Sequence, residues 1–479
     1  FKTPAYFEDC IPIKASATKG IWAPVSKLAF GKVAGKPIVV REWNFPYPNN
    51  YRAEGILLMA TYACLQDWDG MILFALGRDF STSSEASIQM FGVFSDPARW
   101  PLLPMAALIF HKRLIPPSPI LVEVGFSWTD TFYAQNSFTH NAIKDVPYFF
   151  RVQTRFFNHT YPQDTDADII ISSGSTPNAT YLGKHVILYS DSPFLDLHNK
   201  HKGKEQIALN VYPELKFETP RSLEAKFKNF MVEDATLSFQ REDDVPIAIR
   251  IESIPEGSMP FGVDEKQNLA LGFINEKYAI IPDLSRLNFD YALARLLLDA
   301  ARYWGISDVD HRMVDEGVWY ALNKAIALNY KEGTFIVNLP KIKIIEGFFA
   351  AKKIDLGEVK ITPESEHVVL GISSLDGHPI KNSSHLFIVA VDKAWNTGQK
   401  VIWWKGKKCL SFEGNAPTCI APVKSTITLL FEKSPRDVKV YALDGGKQRS
   451  TEVNVNKEGR EVTFKLGECT VYYEVVVEY

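Results

Sequence analysis

A carboxylate and several aromatic side chains stand close together near the start of the chain. Glu42 stands two residues after the apolar run that ends at Val40; Trp43, Tyr47 and Tyr51 come shortly after it, and Trp68 lies further along. Cleavage of a glycosidic bond needs a carboxylate at an oxocarbenium-like centre, and flat aromatic faces suit the binding of sugar rings. These residue types predict a carbohydrate site in which Glu42 is the catalytic group and the aromatic residues bind substrate.

The elements that would position Glu42 alternate between strand and helix. From about residue 36 to residue 120, PIVV and GMILFAL have the pattern of buried strands, whereas ILLMATYACLQ and LPMAALIFHKRL have the pattern of helices. An uninterrupted apolar run is typical of a parallel strand that is covered on both faces. Glu42 would then stand at the carboxyl end of a strand, where barrel enzymes build their active sites.

Each candidate also has a purely structural interpretation. Glu42 could cap a helix or pair with Arg41 or Arg52, both of which are near in the sequence. Trp43 and Trp68 could fill space between packed layers, because most buried tryptophans serve packing. Residue types and spacing alone leave both interpretations open.

The same stretch resembles a known group of enzymes. GKPIVVREWN followed by YRAEGILLMATYACLQDWDG is similar to strands seven and eight of the clan A glycoside hydrolases, nearest to family-five-like cellulases. The resemblance implies a (β/α)8 barrel and a retaining mechanism with Glu42 as nucleophile. It also implies that Asn44 belongs to the substrate site and that Tyr6 corresponds to a strand-six tyrosine that contacts the nucleophile. GISSLDGHPIKNSSHLFIVAVDKAWNTGQ resembles the C-terminal sandwich of multidomain relatives.

The clan requires a second carboxylate as general acid/base, usually in an Asn-Glu pair that ends strand four. That strand would precede residue 1, and the pair Asn275-Glu276 stands in GFINEKYAII, where a turn is the better interpretation. We therefore expect an upstream barrel half, as a separate chain or a further segment, to supply the acid/base. The alternative is a non-catalytic carbohydrate-binding or surface-assembly subunit, and the upstream sequence would distinguish the two.

The chain is predicted to contain three domains of different class. The prolines of LIPPSPIL mark a boundary near residue 116, because they end the preceding helix. Residues 1–115 are predicted to form the last strands and helices of a (β/α)8 barrel, and residues 116–310 an α/β accessory domain. Short alternating segments separated by turn residues predict an antiparallel β-sandwich over residues 311–479.

Charge and composition narrow the choice of partners. The 479 residues carry a formal net charge of −3 with the signs interspersed, which argues against nucleic acid and favours a neutral partner. The resemblance implies that this partner is a β-linked carbohydrate. No run of about 18 apolar residues occurs, so no membrane span is predicted. The five cysteines form no CxxC pair, and neither a P-loop nor GxGxxG is present, so we expect no metal and no cofactor.

Cysteines and glycosylation sequons favour an extracellular or cell-surface location. Cys409 and Cys419 flank a polar stretch with the pattern of a hairpin, so they could form a disulfide or remain two free thiols. Sequons stand at Asn158, Asn178 and Asn382 in turn-rich contexts, as on a secreted surface. A disulfide and three glycosylated asparagines are therefore predicted.

Overall fold

The computed structural model describes most of the N-terminal and C-terminal thirds of the chain and separate strands between them. The described residues are 5–6, 24–77, 87–127, 145–158, 164–173, 185–189, 206–209, 228–233, 236–240, 246–251, 259–263, 269–274, 278–281, 298, 301, 307–308, 317–404, 407–446, 448–467 and 470–479. The chain divides into two compact units, of which the first comprises Phe1–Val25, Val39–Pro117 and Gly317–Tyr479, and the second Ser26–Ile38 and Ser118–Glu316.

Helices are few among these residues, and strands dominate. The α-helices are α1 (Pro24–Ala29), α2 (Glu54–Leu65) and α3 (Leu103–His111), and 3₁₀ turns cover Trp100–Leu102, Val146–Tyr148 and Ile380–Asn382. The strands up to the end of the second unit are β1 (Ala5–Tyr6), β2 (Val39–Trp43), β3 (Gly70–Leu73), β4 (Leu121–Ser127), β5 (Arg151–Phe157), β6 (Ile169–Ser173), β7 (His185–Tyr189), β8 (Gln206–Leu209), β9 (Lys228–Glu233), β10 (Thr236–Gln240), β11 (Pro246–Ile251), β12 (Met259–Val263), β13 (Leu269–Ile274) and β14 (Tyr278–Ile281). The strands after residue 317 are β15 (Val318–Ala321), β16 (Ile326–Asn329), β17 (Thr334–Leu339), β18 (Ile342–Phe348), β19 (Ile354–Asp355), β20 (Val359–Pro363), β21 (His367–Ser374), β22 (His385–Val391), β23 (Ala394–Thr397), β24 (Lys400–Trp404), β25 (Lys407–Phe412), β26 (Asn415–Ile420), β27 (Ser425–Leu430), β28 (Asp437–Leu443), β29 (Arg449–Val453), β30 (Val455–Glu458), β31 (Glu461–Leu466) and β32 (Tyr472–Glu478). Within the part of the chain described here, no helix has the length and apolar character needed to cross a membrane.

The first unit contains the predicted strand–helix–strand step. β2 and β3 pair in parallel, with Val40 opposite Met71, and α2 provides the connection between them. Every residue of α2 is buried, and the helix packs against α3 and the sandwich strand β18. The βαβ prediction is correct, but two strands do not close a barrel, and the described residues do not confirm the predicted (β/α)8 architecture.

Most of the first unit is the predicted β-sandwich. One antiparallel sheet has nine strands in the order β15-β16-β17-β18-β21-β22-β32-β28-β29, and the other has five in the order β19-β20-β27-β31-β30. Their inner faces share one apolar core, which includes Leu370 and Ile388 from the first sheet and Ile427 and Phe464 from the second. Alternating burial along β27 and β31 explains why the sequence pattern identified these strands. The prediction of an antiparallel C-terminal sheet structure is confirmed.

The second unit contains a mixed sheet, part of which is parallel, and the α/β class predicted for residues 116–310 stays a prediction. Its seven strands follow the order β12-β13-β14-β7-β6-β4-β5, and the run from β14 to β5 is parallel. Antiparallel strands β12 and β13 and a further four-stranded sheet, β8-β11-β10-β9, were not foreseen from the sequence. The segment Ser26–Ile38 also belongs to this unit, since Ala34 N donates to Thr154 O at 2.8 Å, so the predicted first domain is not continuous. The pair Asn275-Glu276 lies outside the described residues.

Candidate active site

Glu42 stands at the carboxyl end of a parallel strand, as the sequence predicted. Its side chain is exposed, and its φ of 60° is in the left-handed region, which non-glycine residues seldom adopt. The pairing register between β2 and β3 shifts between Arg41 and Trp43, so Glu42 occupies a β-bulge. A bulge bends the strand and redirects a side chain, and bulges are common beside active sites. Local backbone structure therefore directs this carboxylate away from the regular pleat.

The next residue after Trp43 has a structural role that the sequence did not reveal. Asn44 Nδ2 donates to Phe74 O and to Phe91 O, the latter at 2.9 Å, and Asn44 Oδ1 accepts from Arg99 Nη1 at 2.6 Å. Both polar atoms of the amide are thus used within the protein. The prediction that Asn44 binds substrate is corrected: it links the end of β2 to two later segments.

Arg99, the residue that donates to Asn44, belongs to a buried cluster of charged side chains. Asp96 accepts from Arg52 Nε at 2.6 Å and from Arg99 Nε at 2.5 Å, and all three side chains are completely buried. Arg52 also donates to Ala394 O at 2.9 Å, and Arg99 donates to Gly92 O at 2.7 Å. Burial alone would raise the pKa of Asp96, but the two guanidinium groups lower it to about 2. The carboxylate therefore stays ionised and anchors both arginines.

Two of the aromatic residues predicted to bind substrate are core residues. Trp68 is completely buried. Tyr47 is also buried; its hydroxyl donates to Gln399 Oε1 at 2.6 Å, and burial raises its pKa to about 12. Side chains closed off in this way cannot contact a ligand, so the assignment of Tyr47 and Trp68 to substrate binding is corrected.

The other aromatic candidates differ in position. Trp43 is half-buried, packs edge-on against Phe45 with ring centroids 6.3 Å apart, and remains a candidate substrate contact beside Glu42. Tyr51 is also half-buried, but its ring lies 4.8 Å from the His367 ring, against the sandwich. The backbone of Tyr6 pairs with that of Cys409 in an antiparallel sheet, whereas the resemblance implied a parallel barrel strand.

Several large apolar side chains on and beyond the two parallel strands are exposed. Val39 and Ile72 are 55% and 58% exposed, although both lie within strands of the type that is normally covered on both faces. Phe74, Met90 and Phe91 beyond the strand ends are more than 40% exposed. Exposed large apolar side chains of this kind mark a candidate contact surface.

A buried histidine connects α2 with the sandwich. His367 Nε2 lies 2.7 Å from Glu54 Oε1, and its Nδ1 lies 2.7 Å from Asp392 Oδ1. Burial lowers the pKa of His367, but the hydrogen bonds to Asp392 and Glu54 more than compensate and raise it from 6.5 to about 8. The neighbouring carboxyl of Glu346 has a pKa raised well above its ordinary value, because it is buried and faces Glu54. His367 is therefore a cation held between two carboxylates.

This network predicts that stability falls at alkaline pH. The folded-state pKa of His367 is above the unfolded value, so its contribution is complete below about pH 6.5 and is lost as the pH rises through about 8. A difference of this size corresponds to a loss on the order of 2 kcal/mol. We expect the urea midpoint of the wild type to fall between pH 6 and pH 9. That of His367→Gln should be lower and should fall less, because only the raised pKa of the Glu346 carboxyl then contributes.

His385 supplies the matched control. It lies 2.6 Å from Glu474 but is 41% exposed, so solvent screens the pair and its contribution is small. His385→Gln should retain the wild-type decrease in urea midpoint. An equally large decrease in His367→Gln would show that another group causes the pH dependence.

The structure corrects the predicted disulfide and locates two of the sequons. Cys409 is buried in β25, whereas Cys419 lies in β26 with its sulfur 3.6 Å from Thr397 Oγ1, and the two are not bonded to each other. Each pairs with a different strand, β25 with β24 and β26 with β23, so the polar stretch does not form one hairpin that joins them. Asn158 and Asn382 are exposed, as glycosylation requires, and Asn178 lies outside the described residues.

Comparison with known proteins gives little guidance. No protein-family model matches the chain, and no curated protein matches it. Among solved structures, alpha-L-fucosidase isoenzyme 2 from Paenibacillus thiaminolyticus is a weak structural neighbour, with a TM-score of 0.26 and 10% sequence identity. The alignment covers 95% of this chain and 62% of the fucosidase, so the chain spans less than two thirds of that protein's length. This neighbour is a glycosidase by name, but a TM-score this low does not establish a shared fold.

Among the described residues, no group of three or more His, Cys, Asp or Glu side chains is arranged to hold a metal ion.

Proposed function

We propose that this chain is part of a retaining β-glycoside hydrolase in which Glu42 is the nucleophile. The observation that carries the proposal is the position of Glu42: an exposed carboxylate on a left-handed bulge at the carboxyl end of a parallel strand. Strained backbone of this kind concentrates at functional sites, and the carboxyl ends of parallel strands form the active face of barrel enzymes. β-Linked oligo- or polysaccharides outside the cell are the proposed substrates.

The reaction would proceed by double displacement. Glu42 attacks the anomeric carbon while the glycosidic C–O bond breaks, and a carboxylic acid protonates the departing oxygen. A covalent glycosyl-enzyme results. The second carboxylate then removes a proton from water, the water attacks the anomeric carbon, and the sugar leaves with its original configuration.

The acid/base is proposed to come from an upstream barrel half, as a separate chain or a preceding segment. The uncovered face that includes Val39 and Ile72 supports this proposal, because parallel strands need cover on both faces and unpaired strand edges favour association. Further parallel strands that close β2 and β3 into a barrel would cover this face and would bring a second carboxylate to the same end of the strands. The proposed partner is therefore a set of parallel strands, one of which ends in the acid/base carboxylate.

The test compares the isolated chain, the chain joined to its upstream half, and the joined protein carrying Glu42→Gln. Hydrolysis of unactivated β-linked oligosaccharides is expected only from the joined wild type, since a nucleophile without its acid cannot expel a poor leaving group. Full activity of the isolated chain would mean that the acid/base lies within residues 1–479. Sugar binding without hydrolysis in the joined wild type would favour the non-catalytic alternative.

A further inference from the structure

The conformation of Glu42 requires support from its surroundings. A non-glycine residue with a φ of 60° is strained, and this conformation persists only where neighbouring structure enforces it. Before Glu42, β2 is held by its pairing with β3, where Arg41 stands opposite Ile72. The groups that fix the chain after Glu42 therefore decide whether the bulge is maintained.

Hydrogen bonds of Trp43 and Asn44, the two residues after Glu42, hold the chain in place. Trp43 O accepts a hydrogen bond from Phe74 N at 2.9 Å, and the amide of Asn44 donates to both Phe74 O and Phe91 O. These contacts join the end of β2 to segments that lie 30 and 47 residues later in the chain. One side chain thus holds three backbone segments together immediately beside the exposed carboxylate.

The orientation of this amide is itself fixed. Arg99 can only donate hydrogen bonds, so its contact with Asn44 Oδ1 at 2.6 Å turns the Asn44 NH₂ group toward the two carbonyls. Arg99 is in turn held by Asp96 and by Gly92 O, and it is completely buried. An amide anchored by a buried ion pair has little freedom to reorient.

We infer that Asn44 is a positioning residue for Glu42, acting through the backbone of the bulge and not through contact with the sugar. The inference rests on the proposed function, because it concerns the placement of the proposed nucleophile. A displacement of about 1 Å in a reacting group can reduce a rate about 10²-fold. Asn44→Ala is therefore expected to lower kcat/KM about 10- to 100-fold in the joined protein, mainly through kcat.

The decisive experiment replaces the Glu42 carboxylate by an external nucleophile, so that the reaction no longer depends on the position of Glu42. In Glu42→Gly, added azide can attack the anomeric carbon of a dinitrophenyl β-glycoside; the C–O bond breaks, dinitrophenolate leaves without an acid, and an α-glycosyl azide forms. If Asn44 acts only by placing Glu42, the double variant Glu42→Gly, Asn44→Ala should form this azide at nearly the rate of Glu42→Gly. The effect of Asn44→Ala would then disappear when Glu42 is absent, as a double-mutant cycle detects.

Two further variants keep the result interpretable. Asn44→Asp retains the oxygen that accepts from Arg99 but loses the donor to Phe74 O and Phe91 O, so it should lower kcat even if Asn44→Ala does not fold. Asn396 is the matched control, since its buried amide also bonds the backbone of two segments, at Ile88 and Glu413, and neither contact is to β2. Asn396→Ala should reduce stability with less than about a threefold change in kcat/KM.

The outcomes separate this inference from the function on which it rests. Equal loss of the azide reaction in the double variant, or unchanged kcat in Asn44→Asp, would overturn the positioning role while leaving Glu42 as nucleophile. Full hydrolysis by Glu42→Gly, or no α-glycosyl azide from it, would instead remove the proposed function and the inference with it.

Discussion

Asp96→Ala is expected to destabilise the protein by about 3–5 kcal/mol, the largest effect on stability that we predict. The change leaves the guanidinium groups of Arg52 and Arg99 buried without their shared carboxylate. A buried guanidinium group that has lost its carboxylate carries an uncompensated charge, which is strongly destabilising. Asp96→Asn keeps the shape but not the charge, and it should lie between the wild type and Asp96→Ala.

The measurement is the free energy of unfolding in urea, taken at neutral pH. Glu332 provides the control, because it pairs with Lys352 at 2.9 Å while both side chains are 56% exposed. Glu332→Ala should cost less than about 1 kcal/mol. A comparable, small effect of Asp96→Ala would mean that the two arginines reach solvent or other acceptors when Asp96 is absent.

Glu42→Gln is expected to reduce hydrolysis by the joined protein roughly 10⁴-fold or more. The amide is nearly isosteric but is a poor nucleophile, so the covalent intermediate does not form. Because Glu42 is exposed and makes a left-handed turn that glycine adopts without strain, Glu42→Gly should lose activity equally and be at least as stable as the wild type. Loss of activity together with unchanged stability identifies a chemical role.

Glu461, an exposed carboxylate in β31, is the control for this substitution. Glu461→Gln should retain full activity because it lies in the sandwich, on a strand unrelated to the end of β2. Equal losses in the two variants would point to a general effect of charge removal and not to catalysis.

Local patterns in the sequence were sufficient to predict the main elements. The apolar runs around Val40 and Ile72 predicted the parallel pair. Alternation of apolar and polar residues predicted the antiparallel strands after residue 317, because successive residues of a strand point to opposite faces of the sheet. The position of Glu42 at a strand end followed from the same patterns. Its left-handed conformation did not, since no glycine or asparagine marks the bulge.

The roles of the surrounding side chains depended on contacts between distant residues. Asn44 contacts residues 30, 47 and 55 positions away, and His367 bonds Glu54 across 313 positions. Tyr47 and Trp68 have ring surfaces suited to both sugars and cores, and residue type alone cannot separate these uses. The spacing of Asp96 and Arg99, three residues apart, was the one local sign of the buried cluster.

The measurement that tests the central claim most directly is the identification of the residue that bears the glycosyl group. A 2-deoxy-2-fluoro β-glycoside with a dinitrophenolate leaving group would be incubated with the joined protein, in gluco, galacto and manno configurations. Fluorine beside the reacting carbon disfavours the oxocarbenium-like transition state, and the activated leaving group permits the first step alone, so the intermediate accumulates. We predict one fluorosugar on the peptide that contains Glu42, and none on the corresponding peptide of Glu42→Gln. A label on a different carboxylate, or undiminished labelling of Glu42→Gln, would contradict the assignment of Glu42 as nucleophile.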